Sequence, residues 1–161
     1  LWHGCETRAH EDLEFTILRR DFPAFRAAFA DLRLHAVGDG RVEPLGEGEA
    51  PAEGIAQVWC EDEAARCWRV DMMLEDGTPE TWVYKRDPSI RRPRGEMVQV
   101  TAEGIPYLAP QAILLFKAKY RRDKDEADFA CALPKLDAAQ RGWLKACLAH
   151  AHPGHVWLEA L

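Results

Sequence analysis

TRAHEDLEFTILRRD, residues 7–21, decides how the rest of the chain is read. Its centre alternates acidic and apolar residues, Asp12-Leu13-Glu14-Phe15, and the apolar register continues at Ile17. Successive side chains of a strand point to opposite faces. A strand here therefore buries Leu13, Phe15 and Ile17 on one face and stands Asp12 and Glu14 together on the other. Two carboxylates so placed repel each other unless a cation lies between them. The stretch predicts a strand over 12–18 with a polar face suited to a positive charge.

Working outward, Asp21 is placed to cap a helix in FPAFRAAFADL, where Phe22, Phe25, Ala28, Phe29 and Leu32 recur at helical spacing. Gly38-Asp39-Gly40 reads as a turn, and EPLGEGEAPAEGI as a Gly/Pro-rich loop. IAQVWC (55–60) and CWRVDMMLED (67–76) are two further strands, and ETWVYKR (80–86) is expected to form a hairpin with the second across Gly77. Helices are predicted from about Pro110, over KDEADFACAL, and over DAAQRGWLKACLAHAH, the last with Asp137 as its cap and Gly154 beyond its end. This order gives an α+β domain: a small mixed or antiparallel sheet flanked by helices, with a core over 1–108 and a helical region over 109–161 in a single domain overall.

The totals narrow the function classes. A hydrophobic fraction of 47% with six tryptophans in 161 residues describes a folded globular chain. A net charge of -6 makes a nucleic-acid backbone an unexpected partner for the whole surface. Five cysteines without CxxC spacing fit reduced thiols in the cytoplasm better than a disulfide framework or a zinc site. Neither a signal peptide nor an apolar run of membrane length is read. The chain opens without Met, inside what reads as a motif, so residues preceding Leu1 are expected.

In the strand at 67–76, alternation sends Trp68, Val70, Met72 and Leu74 to the core and Asp71 to the opposite face. Beside the first strand, Asp71 then joins Asp12 and Glu14. Three converging carboxylates make a hard-oxygen site of the kind Mg²⁺ takes, with water and phosphate oxygens completing its shell. The plainer reading is the solvated side of a half-exposed sheet.

ETRAHEDLEFTILRRD, WRVDMMLEDG, TWVYKRDPSIRRP, GIPYLAP, LLFKAK, KDEADF and AHPGHVWL together resemble the small nucleotidyltransferases known as aminoglycoside adenylyltransferase-like, of the DNA-polymerase-β-type superfamily. The resemblance covers nearly the whole chain and is most specific in TRxHxDLE. It implies a nucleotidyltransferase-type sheet with Asp12 and Glu14 as metal ligands and Asp71 as a third ligand or the base for an acceptor hydroxyl. It implies that Thr7 and Arg8, just before the strand, serve the nucleotide, Arg8 by reaching its phosphates. Mg²⁺ or Mn²⁺ is the implied cofactor. ATP or another nucleoside triphosphate is the implied co-substrate, and a hydroxyl of a small molecule, such as an aminoglycoside-like antibiotic, the implied acceptor. The family's Gly-Gly or Gly-Ser pair, about ten residues before the first carboxylate, has no counterpart beyond Gly4 and is expected in preceding residues. Lys117 is a further candidate for the phosphates. The alternative for Lys117 and for the Lys119, Arg121, Arg122 and Lys124 that follow is a solvated helix end.

Two other function classes are compatible with the sequence. A nucleotidyltransferase-like member of a toxin–antitoxin pair, acting on RNA or protein, would use a basic groove begun by Arg91, Arg92 and Arg94. A non-catalytic ligand-binding relative would follow from true loss of the glycine pair. His150, His152 and His155 cluster, but without a cysteine at ligand spacing they read as helix-terminal residues, and His10 reads as an orienting or packing residue. Asp125 and Asp128 are expected to pair with neighbouring cations.

Overall fold

The computed structural model of the chain describes residue 2 and residues 13–161. These fall into two compact units, a sheet unit (13–78 with 83–85) and a helical unit (79–82 with 86–161, and residue 2). Residues 86–108 thus group with the C-terminal helices.

The sheet unit opens on β1, Leu13–Leu18, which runs through a short 3₁₀ turn at Arg19–Asp21 into α1, Phe22–Ala28. Asp21 occupies the cap position but makes no side-chain capping bond, because the 3₁₀ turn enters the helix directly and Pro23 already fills the first helical turn. β2 (Arg33–Gly38) and β3 (Arg41–Pro44) follow, joined by Asp39-Gly40 with both residues at positive φ, 52° and 73°. This is the two-residue mirror-image turn that matches strand twist and that Asp-Gly favours. β4 (Gln57–Asp62) and β5 (Cys67–Glu75) form the next hairpin, its loop tied by Asp62 Oδ1, which accepts from the Ala65 amide at 2.9 Å.

The five strands are ordered β1-β5-β4-β2-β3, with β1 parallel to β5 and the remaining pairs antiparallel. The sheet is therefore mixed. One face carries Leu34, Val58, Cys60, Val70, Met72 and Leu74, all buried, under Phe22 and Phe25 of α1, with Phe15, Ile17 and Phe29 packed against them. Phe25 and Phe29 lie 4.8 Å apart between ring centroids, and Phe15 meets both. Burying such side chains is worth roughly 1.5–3 kcal/mol each, which fixes the register: a slip by one residue would turn every one of them outward.

Two expectations are corrected here. β5 makes no hairpin with the segment after Gly77. Both its edges are occupied, by β1 and β4, and β6 (Thr81–Val83) belongs to a separate two-stranded sheet with β7 (Arg91–Pro93). The link to this segment is instead a side chain: buried Glu75 accepts from the Val83 amide at 3.2 Å. Trp68 is not a core residue, since 43% of it is exposed. The pairing shifts between Cys60↔Val70 and Glu61↔Trp68, leaving Arg69 as the extra residue of a β-bulge. The bulge reverses the alternation and sends Trp68 to the face opposite Val70.

The helical unit continues with α2 (Arg94–Met97), the hairpin strands β8 (Val98–Val100) and β9 (Pro106–Leu108), and then α3 (Pro110–Lys117), α4 (Asp123–Ala132) and α5 (Ala138–Ala151). Proline stands in the first turn of α3, and α5 begins in a capping box: Asp137 Oδ1 accepts from the Gln140 amide at 2.8 Å and Gln140 Oε1 from the Asp137 amide at 3.0 Å. Its end is followed by Gly154 at φ 79°. Leu114, Leu115, Leu144 and Leu148 are buried, and Phe129 stacks on Trp157 with centroids 4.1 Å apart.

Candidate functional site

The strands put Glu14 and Asp71 in register across the parallel pair. Leu13 is exposed, but Phe15 and Ile17 pack on the core, so Glu14 stands on the other face with Asp71, whose neighbours Val70 and Met72 are buried. Neighbouring strands run about 4.8 Å apart, which is how closely the two residues are seated at the backbone. Glu14 is exposed and Asp71 half-buried.

Asp71 is held in place. Gln57 of β4 donates its Nε2 hydrogens to Oδ1 at 2.8 Å and Oδ2 at 2.9 Å. Such donation fixes the orientation of the carboxylate. The negative charge of Asp71 is felt on the core side as well: burial first, then Asp71, pushes the Cys60 thiol up to about 11, so that cysteine is inert as a nucleophile at neutral pH.

Of the residues singled out in the sequence, Glu14 and Asp71 are thus brought together. Thr7, Arg8, His10 and Asp12 lie outside the described residues. Lys117 belongs to the helical unit, where its ammonium lies 2.8 Å from Asp128 and 3.4 Å from Asp125. Asp125 is fully buried, and Arg122 grips it through Nε at 2.8 Å and through its own amide at 3.1 Å. Arg122, in turn, lies over the Tyr120 ring.

Of the C-terminal histidines, His152 and His155 are neighbours, with ring centroids 6.2 Å apart. His150 Nε2 meets Asp87 Oδ2 at 2.9 Å, and His155 uses both ring nitrogens, one on the Ala118 carbonyl at 3.1 Å and one accepting from the Trp157 amide at 3.1 Å. Burial, and then His155, hold His152 below the usual histidine range. Among the described residues no three His, Cys, Asp or Glu side chains gather into a metal-binding group. Two carboxylates do suffice for Mg²⁺, which is commonly held by one or two together with water and phosphate oxygens, so Glu14 and Asp71 fit that ion as a partial site.

Sequence reasoning missed Gln57 and Trp59 on this face. The signal available was the period of two in IAQVWC, which sets Gln57 and Trp59 opposite buried Val58 and Cys60. No family model, curated protein or solved structure matches the chain. Among the described residues no helix is long and apolar enough to cross a membrane.

Proposed function

We propose that the chain is a nucleotidyltransferase that moves a nucleoside monophosphate from a nucleoside triphosphate, ATP in the first instance, to a hydroxyl of a small molecule. The observation that carries this reading is the in-register pair Glu14 and Asp71 on the face of the sheet turned away from the core. Two carboxylates on neighbouring strands are a donor set of the kind Mg²⁺ takes together with water and phosphate oxygens.

In this reading Glu14 and Asp71, with Asp12 from the sequence, supply the negative charge that holds a divalent cation. Mg²⁺ when bound would neutralise the phosphates and orient them for in-line displacement. The acceptor oxygen forms its bond to the α-phosphorus, the bond to the pyrophosphate oxygen breaks, and the hydroxyl proton passes to a carboxylate. We assign that proton to Asp71, which Gln57 keeps oriented. Arg8, from the resemblance, would serve the phosphates. Lys117 would serve them only by leaving Asp125 and Asp128.

The test pairs two measurements on wild type and Asp71→Asn. Wild type should be stabilised by ATP with Mg²⁺ and not by ATP in EDTA, and should release pyrophosphate with a suitable acceptor. Asp71→Asn keeps an oxygen for Gln57 and removes the charge. Its metal-free melting temperature should hold or rise, by the equivalent of up to about 1 kcal/mol, while metal-dependent stabilisation disappears. A variant that melts well below wild type in EDTA, with its response to Mg-ATP intact, would make Asp71 a scaffold residue and defeat the proposal.

A further inference from the structure

A second concave site lies wholly within the helical unit. A cleft of about 390 Å³ opens between α5 and the chain entering β7. Trp143, Cys147 and His150 line it from α5, and their spacing of four and three residues sets them on one stripe of that helix. Ile90, Arg91 and Arg92 line it from the other element. Asp87 ties the two together: its Oδ2 meets His150 Nε2 at 2.9 Å, and its Oδ1 accepts from the Ser89 amide at 3.0 Å and hydroxyl at 2.6 Å. The volume suits a small ligand, whose clefts run from roughly 300 to 1,000 Å³.

Ser89, His150 and Asp87 invite a hydrolytic reading and do not support one. In a working relay the histidine turns one ring nitrogen to the nucleophile and the other to the acid. Here Asp87 and Ser89 approach the same nitrogen, at 2.9 and 3.5 Å, and the Ser89 hydroxyl donates to Asp87. Cys147 is no nucleophile either. Burial pushes its thiol up to about 11, with Arg92 pulling against that rise and Asp87 adding to it. The chemistry left to the cleft is binding.

Its lining offers donors. Arg91 places Nε on the Pro88 carbonyl at 2.6 Å and Arg92 places Nε 3.4 Å from Glu96. Neither has a partner for its terminal nitrogens among the described residues. The indole N–H of Trp143, a half-buried ring in edge contact with Trp82, likewise meets no acceptor among them, whereas that of Trp157 donates to Glu126 at 2.8 Å. Guanidinium groups match phosphate oxygens through paired N–H donors. Arg94, the third arginine of the run, is not in the lining and donates to the Thr81 carbonyl at 3.2 Å. The run thus serves a compact anion in one cleft, not a strand of phosphodiesters along a groove.

We infer that this cleft binds a small phosphomonoester dianion carrying a flat ring, with the phosphate on Arg91 and Arg92 and the ring against Trp143 and Ile90. The site needs no metal and is independent of the transferase reading, since all of its residues belong to the helical unit.

The test uses the full chain in EDTA and follows proton–nitrogen NMR spectra, with phenyl phosphate, inorganic phosphate and methyl phenyl phosphate as probes. Trp143→Phe identifies the Trp143 indole signal among those of the six tryptophans. Phenyl phosphate should shift that signal and the amides of 89–92 saturably, with a Kd of about 1 mM or tighter. Arg91→Gln and Arg92→Gln, both at exposed positions, should each weaken it about tenfold, the size of one hydrogen bond to a charged group. Spectra otherwise like those of the wild type show that these variants are folded. Inorganic phosphate lacks the ring and methyl phenyl phosphate lacks one charge, so both should bind more weakly than phenyl phosphate. No saturable shift at Trp143, or both arginine variants binding as wild type does, overturns the site. Inorganic phosphate or methyl phenyl phosphate binding as tightly as phenyl phosphate overturns the class of ligand, the first by removing the ring and the second by removing the dianion. Shifts that appear only when Mg²⁺ replaces EDTA would belong to the carboxylate pair and overturn the site as well.

Discussion

Asp125 carries its charge at a place where nothing of its side chain reaches solvent. Burial alone would push its pKa up, but the hydrogen bonds from Arg122 and the charge of Lys117 overcome that and hold it below the usual carboxylate range. A carboxylate with a depressed folded pKa contributes stability that is fully present above its unfolded value near 4 and is lost as pH falls through the folded one. Asp125→Asn should therefore cost about 3 kcal/mol near neutral pH, and the loss should shrink as pH falls below about 4, because the wild type then gives up the same contribution. Urea unfolding at pH 7 and pH 3 measures both, and an equal loss at the two pH values would show that the charge is not what matters. The pairing itself was legible: KDEAD beside a basic run asks for ion pairs. Which cation would answer was less so. A lysine next to an apolar stripe is what a phosphate site needs and equally what an internal ion pair needs, and only the half-buried geometry of Lys117 between Asp125 and Asp128 separates them.

At the level of elements, local chemistry was readable and distant pairing was not. The strand at the start, the helix after it and the three C-terminal helices all follow from spacing and caps within a dozen residues. The α5 capping box is the sharpest case, and Asp137→Ala should lower stability by about 1 kcal/mol, read as a fall in the urea midpoint at unchanged slope. A change of slope would mean that more than the helix end had been disturbed. By contrast, the Asp-Gly turn was recognised while β2 and β3 on either side of it were not, since RLHAVG and RVEP are short, carry Gly and Pro at their ends, and owe their strand conformation to the sheet they join. The hairpin expected across Gly77 failed for a related reason. Adjacent strands in sequence commonly pair, but β5 is claimed on both edges by β1, from the far end of the unit, and by β4. The position of Trp68 was hidden by one inserted residue, because alternation counts residues and a bulge breaks the count. Above the bulge the count holds, and that is why Asp71 and Glu14 share a face as the two strand patterns require.

For the whole molecule, the division into a sheet unit and a helical unit makes ligand linkage a spatial measurement. Glu14 and Asp71 belong to the first, Lys117 to the second. A ligand that binds only the folded state stabilises it by RT times the logarithm of one plus its concentration over its Kd, about 2.7 kcal/mol at a hundred times its Kd. For amides that exchange by opening of the structure that binds, this slows hydrogen exchange by about a hundredfold. ATP with Mg²⁺ at that excess should accordingly slow exchange in β1 and β5, the two strands that carry the carboxylates, and ATP in EDTA should not. The amides of α3 and α4 report on Lys117. If it stays with Asp125 and Asp128, as the buried ion pair favours, their exchange remains unchanged at the ligand concentrations that protect β5. Protection of α3 and α4 as strong as that of β1 and β5 would show either that Lys117 has joined the phosphates or that the two units open together, and Lys117→Met separates these, since it abolishes only the first. No change in β1 and β5 under any condition would leave Glu14 and Asp71 as the solvated side of a sheet.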